Sequence, residues 1–182
     1  RKEQLGIRIL NISVGACSKR GMSENSALVK GVNRAWDAGL VVVVAAGNNG
    51  PRTMSITTPG ISRKVITVGC SDDDREVLVG GNRMVDYSGR GPTAACICKP
   101  DLVAPGCSVV SCSSRADKYT IKSGTSMSTP IVSGAVALLL ERFPDMSNKD
   151  VKLRLRESSV DIGLPRNQQG WGLLDVGKML ER

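Results

Sequence analysis

Leu40-Val41-Val42-Val43-Val44 is an unbroken aliphatic run with no polar position to turn toward water. Such a segment suits a strand covered on both faces, which is how parallel strands are buried. Upstream, residues 5–12 (LGIRILNI) form a shorter apolar run that ends in the small-residue turn Ser13-Val14-Gly15. Between the two runs, Leu28, Val32, Ala35 and Trp36 recur at helical spacing over residues 24–38, with Ser23 as the cap and Gly39 as the stop. Strand, helix and strand in that order make a right-handed crossover in nearly all known cases. The expected architecture is therefore α/β, with a parallel sheet flanked by helices in three layers.

The rest of the chain extends this plan. Val65-Ile66-Thr67-Val68 and Leu102-Val103 read as further strands, and a short strand is expected near residues 108–111. Residues 71–91 are rich in Asp, Gly and Arg and read as loops and short edge strands. Val132, Val136, Leu139 and Leu140 mark a helix packed deep in the core, opening near Ser126 and ending at Phe143-Pro144. Pro130 falls in or close to its first turn, where amide groups lack intrahelical acceptors. Ser147 caps a shorter helix over residues 148–157, with Asp150 near its positive end. No repeat or linker divides the chain, so residues 1–182 read as part of one domain.

Composition excludes several classes of function. The net charge of +8 comes from scattered Lys and Arg, and aromatics make up only 3% of residues, which leaves little to stack on bases. Nucleic acid is not an expected partner, nor is a membrane, because no apolar run approaches the roughly 20 residues of a span. Cys17, Cys70, Cys96, Cys98, Cys107 and Cys112 lack paired C-x-x-C knuckles and no histidine joins them, so no zinc site is expected. Asp72-Asp73-Asp74 could bind calcium, but three adjacent aspartates more often sit in solvent. The absence of histidine also means that no serine hydrolase with an imidazole base could be complete within these residues.

Gly124-Thr125-Ser126-Met127-Ser128-Thr129-Pro130 sets a serine between a glycine turn and the start of a buried helix. Helix N-terminal amides favour negative charge, which suits a nucleophile whose attack generates an oxyanion. Taken alone the serine reads more readily as a simple cap. The segment resembles the nucleophile motif of the subtilisin family of serine proteases, with Ile131 in place of the histidine that usually follows the proline. Val42-Val43-Val44-Ala45-Ala46-Gly47-Asn48-Asn49-Gly50 is similar to the family segment that delivers an oxyanion-hole asparagine, here Asn48. As an isolated motif, Asn48-Asn49-Gly50-Pro51 would serve as an ordinary turn. Ser88-Gly89-Arg90-Gly91-Pro92, Lys99-Pro100-Asp101-Leu102-Val103-Ala104-Pro105-Gly106 and Gly170-Trp171-Gly172-Leu173-Leu174-Asp175 resemble the family framework and carry no catalytic assignment.

The resemblance implies a subtilisin-like three-layer fold and a serine endopeptidase that hydrolyses peptide bonds through an acyl-enzyme at Ser126. It implies that Asn48 and the Ser126 amide hold the oxyanion, and that Thr125 lies beside the substrate. Ser13-Val14-Gly15 and Ala45-Ala46-Gly47 would form two walls of a slot for a substrate side chain, with Thr57 near its base where the family often has glycine. In the family the Asp and His of the triad precede these segments, so residues 1–182 are expected to be the C-terminal portion of a single peptidase domain and inactive alone. The expected partners are a polypeptide substrate and the N-terminal part of the same peptidase. Without that part, exposed apolar surface would favour self-association. No cofactor is required, although carbonyls around Gly60, Ser62 and Val65 resemble a weak calcium or monovalent-cation site. The family default is secretion, whereas six cysteines would also suit a reducing cytoplasm. The competing reading is a pseudoprotease or peptide-binding scaffold that keeps the groove without the chemistry.

Overall fold

A computed structural model describes residues 2–16, 24–114 and 118–181. Its centre is a parallel sheet of four strands in the order β1 (Ile9–Ile12), β2 (Val41–Ala45), β3 (Ile66–Cys70) and β6 (Leu102–Ala104). Every residue of β2, β3 and β6 is buried, as the continuous aliphatic run implies for strands covered on both faces. Val41 pairs with Ile9 and Val43 with Ile66, so the sheet grows by parallel neighbours on either side of the valine run. Between β3 and β6 lies the small hairpin β4 (Val77–Val79) and β5 (Asn82–Met84), and after β6 comes a second hairpin, β7 (Val109–Cys112) with β8 (Tyr119–Lys122).

Helix α1 (Ala27–Asp37) makes the crossover from β1 to β2. Its cap is Ser26, whose hydroxyl accepts from the Val29 amide, while the expected cap Ser23 lies outside the described residues. Val29, Val32 and Trp36 form its buried stripe. Leu28, expected on that stripe, is instead exposed. Position 28 lies about 100° around the helix from Val29 and about 40° from Val32, which puts it at the edge of the buried stripe.

Helix α2 (Thr125–Arg142) packs against β1, β2 and β3, and its Val132, Val136, Leu139 and Leu140 join the main core as their spacing implies. Pro130 is its sixth residue, beyond the first turn. A proline there has no N–H for the carbonyl four residues back, so the Ser126 carbonyl lacks its usual helical donor. The Thr125 carbonyl, one residue earlier, accepts from the Thr129 hydroxyl at 2.7 Å. Helix α3 (Asn148–Ser158) starts on a capping box in which Ser147 and Asp150 bond reciprocally, and α4 (Arg166–Gln169) and α5 (Val176–Leu180) complete the chain. Exposed carboxyl Asp150 is held below its ordinary pKa by the hydroxyl and amide of Ser147.

Close backbone approaches tie the framework loops to the sheet. A Cβ at Gly170 would fall 2.3 Å from the Asp101 carbonyl, and one at Gly50 would fall 2.3 Å from the carbonyl of Ser88. Glycine is therefore required at both for steric reasons. Among the described residues, no helix is long and apolar enough to cross a membrane.

Candidate active site

The site lies where the ends of β1 and β2 meet the start of α2. Parallel strands that end side by side send their following loops out together, and α2 packs across the same strands. Three stretches far apart in sequence, residues 13–15, 45–48 and 124–126, thus converge.

Ser126 is half-buried on the first turn of α2, and its hydroxyl donates to the carbonyl of Ser13 at 3.0 Å. A peptide carbonyl is too weak a base to remove the seryl proton, so this contact orients the hydroxyl without activating it. Beyond Ser126 opens a cleft of about 420 Å³ between the β7–β8 hairpin and α2, lined by Val110, Cys112, Lys122, Met127 and Ile131 among others.

Asn48 is fixed through its oxygen. Oδ1 accepts from the Thr125 amide and from the Thr125 hydroxyl, each at 3.0 Å, and the same hydroxyl accepts from the Gly47 amide at 3.1 Å. Because Oδ1 is taken up in this way, Nδ2 is the part of the side chain nearest Gly124, the residue two before the serine. Gly124 has φ 139°, and a Cβ there would sit 3.1 Å from Asn48 Nδ2. A donor NH2 group thus faces the turn that carries Ser126. The Ser126 amide belongs to the first helical turn, where intrahelical acceptors are lacking. Thr125 is fully buried and spends its hydroxyl on Gly47 and Asn48, which makes it a positioning residue.

The loop carrying Asn48 is braced from behind. The Gly50 amide donates to the Tyr87 carbonyl and the Gly89 amide to the Gly47 carbonyl. Ser88 in turn gives its amide to Asp73 at 2.7 Å and accepts from the Cys70 amide at 2.9 Å. Asp72 accepts from the amides of Gly106 and Cys107. Two aspartates of the acidic run therefore clasp loops and do not simply sit in solvent. Burial pushes the carboxyl of Asp73 above its ordinary pKa, against the pull of the Ser88 amide. Burial also raises the Cys70 thiol, to about 12, which leaves it protonated and inert.

The proposed slot has distinct walls and a distinct floor. Ser13 is half-buried and Val14 and Gly15 exposed, whereas Ala45 and Ala46 are buried and Gly47 half-buried. Thr57 lies between the two walls and is itself buried. A Cβ at Gly15 would come within 2.2 Å of Thr57 Oγ1, and one at Gly47 within 2.4 Å of Thr57 Cγ2.

Two of the three carbonyls suggested for a cation, those of Gly60 and Val65, already accept from side-chain donors. Val65 O accepts from the ammonium groups of Lys99 at 3.0 Å and Lys152 at 2.9 Å, and Gly60 O accepts from the Thr67 hydroxyl. Lys99 is almost fully buried and paired with Asp101 at 2.5 Å, while Lys152 also reaches the carbonyls of Arg63 and Lys64. Two positive charges already meet this carbonyl. Among the described residues, no group of three or more His, Cys, Asp or Glu is placed to hold a metal ion, and Cys70, Cys96, Cys98, Cys107 and Cys112 are free thiols.

The model of the subtilase family, Peptidase_S8, matches residues 1–172. The chain belongs to the subtilase family. Among the relatives of this subtilase chain, serine protease AprX of Bacillus subtilis is 40% identical over 167 residues, covering 84% of this chain and 38% of that protein. Subtilisin DY of Bacillus licheniformis is 34% identical over 175 residues, covering 95% of this chain and 57% of that protein. The solved structure of sphericase superposes with a TM-score of 0.76 at 30% identity, covering 96% of this chain and 59% of that one. The parallel sheet flanked by helices is thus a subtilisin-like fold. The chain spans between 38% and 59% of the length of these three relatives.

Two elements of the site had no sequence signal of their own. The clamp of Thr125 on Asn48 joins residues 77 apart, and neither is unusual in its local context. The double occupancy of the Val65 carbonyl depends on Lys99 and Lys152, which are 34 and 87 residues away.

Proposed function

We propose that this subtilase chain is the nucleophile-bearing portion of a serine endopeptidase in which Ser126 attacks the scissile carbonyl. Asn48 Nδ2 and the Ser126 amide would receive the oxyanion, and collapse of the tetrahedral intermediate would expel the amine and leave an acyl-enzyme that water hydrolyses. The observation that carries this reading is the clamp of Asn48 Oδ1 by the amide and hydroxyl of Thr125, adjacent to Ser126. A peptide-binding scaffold has no use for a buried threonine that holds an asparagine donor toward a serine.

The chain contains no histidine, so an imidazole general base must come from outside these residues, and its carboxylate partner is proposed to come with it. The 420 Å³ cleft beside Ser126 is where an incoming imidazole could reach Oγ and draw the hydroxyl from the Ser13 carbonyl. The proposed partners are accordingly the N-terminal part of the same peptidase and a polypeptide substrate laid along Ser13-Val14-Gly15. Strand β1 stands at the edge of the sheet, with an outer side available for a further strand. Without that cover, the isolated residues would self-associate. The stability of the fold is proposed to need no calcium, since ammonium groups meet the Val65 carbonyl.

Labelling of the full-length protein with a fluorophosphonate, followed by mass spectrometry, tests the proposal. Modification of Ser126 that is lost in Ser126→Ala is expected. A folded full-length protein that stays unlabelled would overturn the peptidase reading in favour of a peptide-binding scaffold.

A further inference from the structure

We propose that a pocket between Trp36, Trp171 and helix α3, at the end of the sheet opposite Ser126, binds an extended acidic segment of a partner polypeptide. One apolar side chain of that segment enters the pocket, and a carboxylate on either side of it meets a cation of α3. The inference concerns a second surface and does not depend on the chemistry at Ser126.

Three segments build the pocket where strands of the sheet begin. Trp36 stands near the end of α1, ahead of β2. Lys152 of α3 gives its ammonium to the carbonyls of Arg63, Lys64 and Val65, which lead into β3. The Trp171 amide donates to the carbonyl of Asp101, the residue before β6. Ser126 lies instead where β1 and β2 end. The five residues of β2 alone span about 16 Å, so a chain held at this pocket leaves the cleft beside Ser126 open.

The pocket has a volume of about 350 Å³, enough for one large apolar side chain. Besides the two tryptophans it is lined by Lys149, Lys152, Leu153 and Arg156, which share one face of α3 at i, i+3, i+4 and i+7 spacing. Leu153 is exposed although apolar. Lys152 is already engaged, with its ammonium 5.7 and 6.0 Å from the centres of the Trp36 and Trp171 rings and 3.4 Å from Asp101. Lys149 and Arg156 differ from it. Both are exposed, and among the described residues neither enters a salt bridge. No carboxylate lines the pocket. Two unpaired cations thus stand at either end of an apolar recess, about 10 Å apart along the helix.

This arrangement selects its ligand by charge and spacing. In an extended chain, residues i, i+2 and i+4 point to one side and span about 13 Å. Carboxylates at i and i+4 therefore reach Lys149 and Arg156 while the side chain at i+2 fills the recess. A nucleic acid is less well matched. Trp36 is only 7% exposed and Lys152 stands over both rings, so the pocket offers little ring face to a stacked base.

The test uses the full-length protein carrying Ser126→Ala, so that no probe is cut, and the fluorescein-labelled peptide Glu-Ser-Phe-Ser-Glu followed by anisotropy. Saturable binding is expected, weakened at least about 10-fold by Lys149→Glu combined with Arg156→Glu. Leu153→Asp, which sets a carboxylate at the recess, should weaken it comparably. Replacing Phe by Ser in the probe, or both Glu by Lys, should each do the same, and binding should fall as NaCl rises from about 50 to about 500 mM. The probe substitutions leave the protein untouched, so they decide the matter even where a variant fails to fold. Absence of binding up to about 1 mM would overturn the proposal, as would binding that survives the charge reversal within about twofold or equal binding of the lysine probe. Tighter binding of an oligothymidylate, lost on the same charge reversal, would overturn it in favour of a nucleic-acid surface.

Discussion

Thr125→Val separates the clamp on Asn48 from the packing around it. Valine has nearly the shape of threonine, so at a fully buried position it opens no cavity and removes only the hydroxyl. That hydroxyl makes two hydrogen bonds, donating to Asn48 Oδ1 at 3.0 Å and accepting from the Gly47 amide at 3.1 Å. Each such bond contributes about 1 kcal/mol net, and a buried amide left without an acceptor costs about 1–3 kcal/mol. Asn48 Oδ1 keeps the Thr125 amide, so its side remains half satisfied. The expected loss of stability is about 2–3 kcal/mol, read from urea unfolding of the full-length protein. Activity should fall in kcat by about 10-fold with KM little changed. A looser Asn48 weakens only the transition-state contact, and the fall should be smaller than the loss of an oxyanion donor outright. Thr125→Ser, which restores the hydroxyl, should recover most of both. A valine variant whose unfolding free energy lies within about 0.5 kcal/mol of wild type and whose kcat is unchanged would refute the clamp.

Three other outcomes can be checked independently. Asn48→Ala should lower kcat by about 100- to 1000-fold with little change in KM, the size known for loss of the corresponding donor in a subtilisin, measured by steady-state hydrolysis in the full-length protein. Burial lowers Lys99 from its ordinary pKa to about 8 in the fold, against the pull of Asp101 and with the help of Lys152. Between pH 8 and about 10.5 the unfolded chain then holds a proton that the folded chain has released. Stability relative to Lys99→Met should therefore rise with pH across that window and stay level below it, as followed by urea unfolding at several pH values. Ser147→Ala removes the cap of α3 and should cost about 1 kcal/mol in the same unfolding assay.

The parts of this molecule that local sequence determines were legible in advance. The valine run announced β2 because a segment without polar positions must be covered on both faces, and the 132, 136, 139, 140 pattern placed the core face of α2. Ser147 and Asp150 announced the start of α3 because capping chemistry is confined to four residues. Leu28 was misplaced because α1 shares its apolar residues between two neighbouring directions, and packing selected Val29. Pro130 was expected within about one turn of the helix start, a boundary that depends on where Asn48 meets Thr125. Ser126 and Asn48 were singled out through resemblance, whereas the bonds between Thr125 and Asn48 were not, because these residues are brought together only by the completed sheet. The same holds for Lys99, whose sequence neighbours give no hint that its ammonium ends on a carbonyl 34 residues away.

The two halves of the site come from opposite ends of the folding problem. Asn48 follows the second strand, and its clamp stands 77 residues later on the first turn of α2, with two further sheet strands and two hairpins between. Contacts of such separation form late, since the intervening chain must lose its freedom before the contact repays the loss. A growing or half-folded chain would carry an ordinary serine and an ordinary asparagine, each harmless to its neighbours. On the peptidase reading proposed above, completion of the sheet would therefore be the step that brings Asn48 to the turn carrying Ser126.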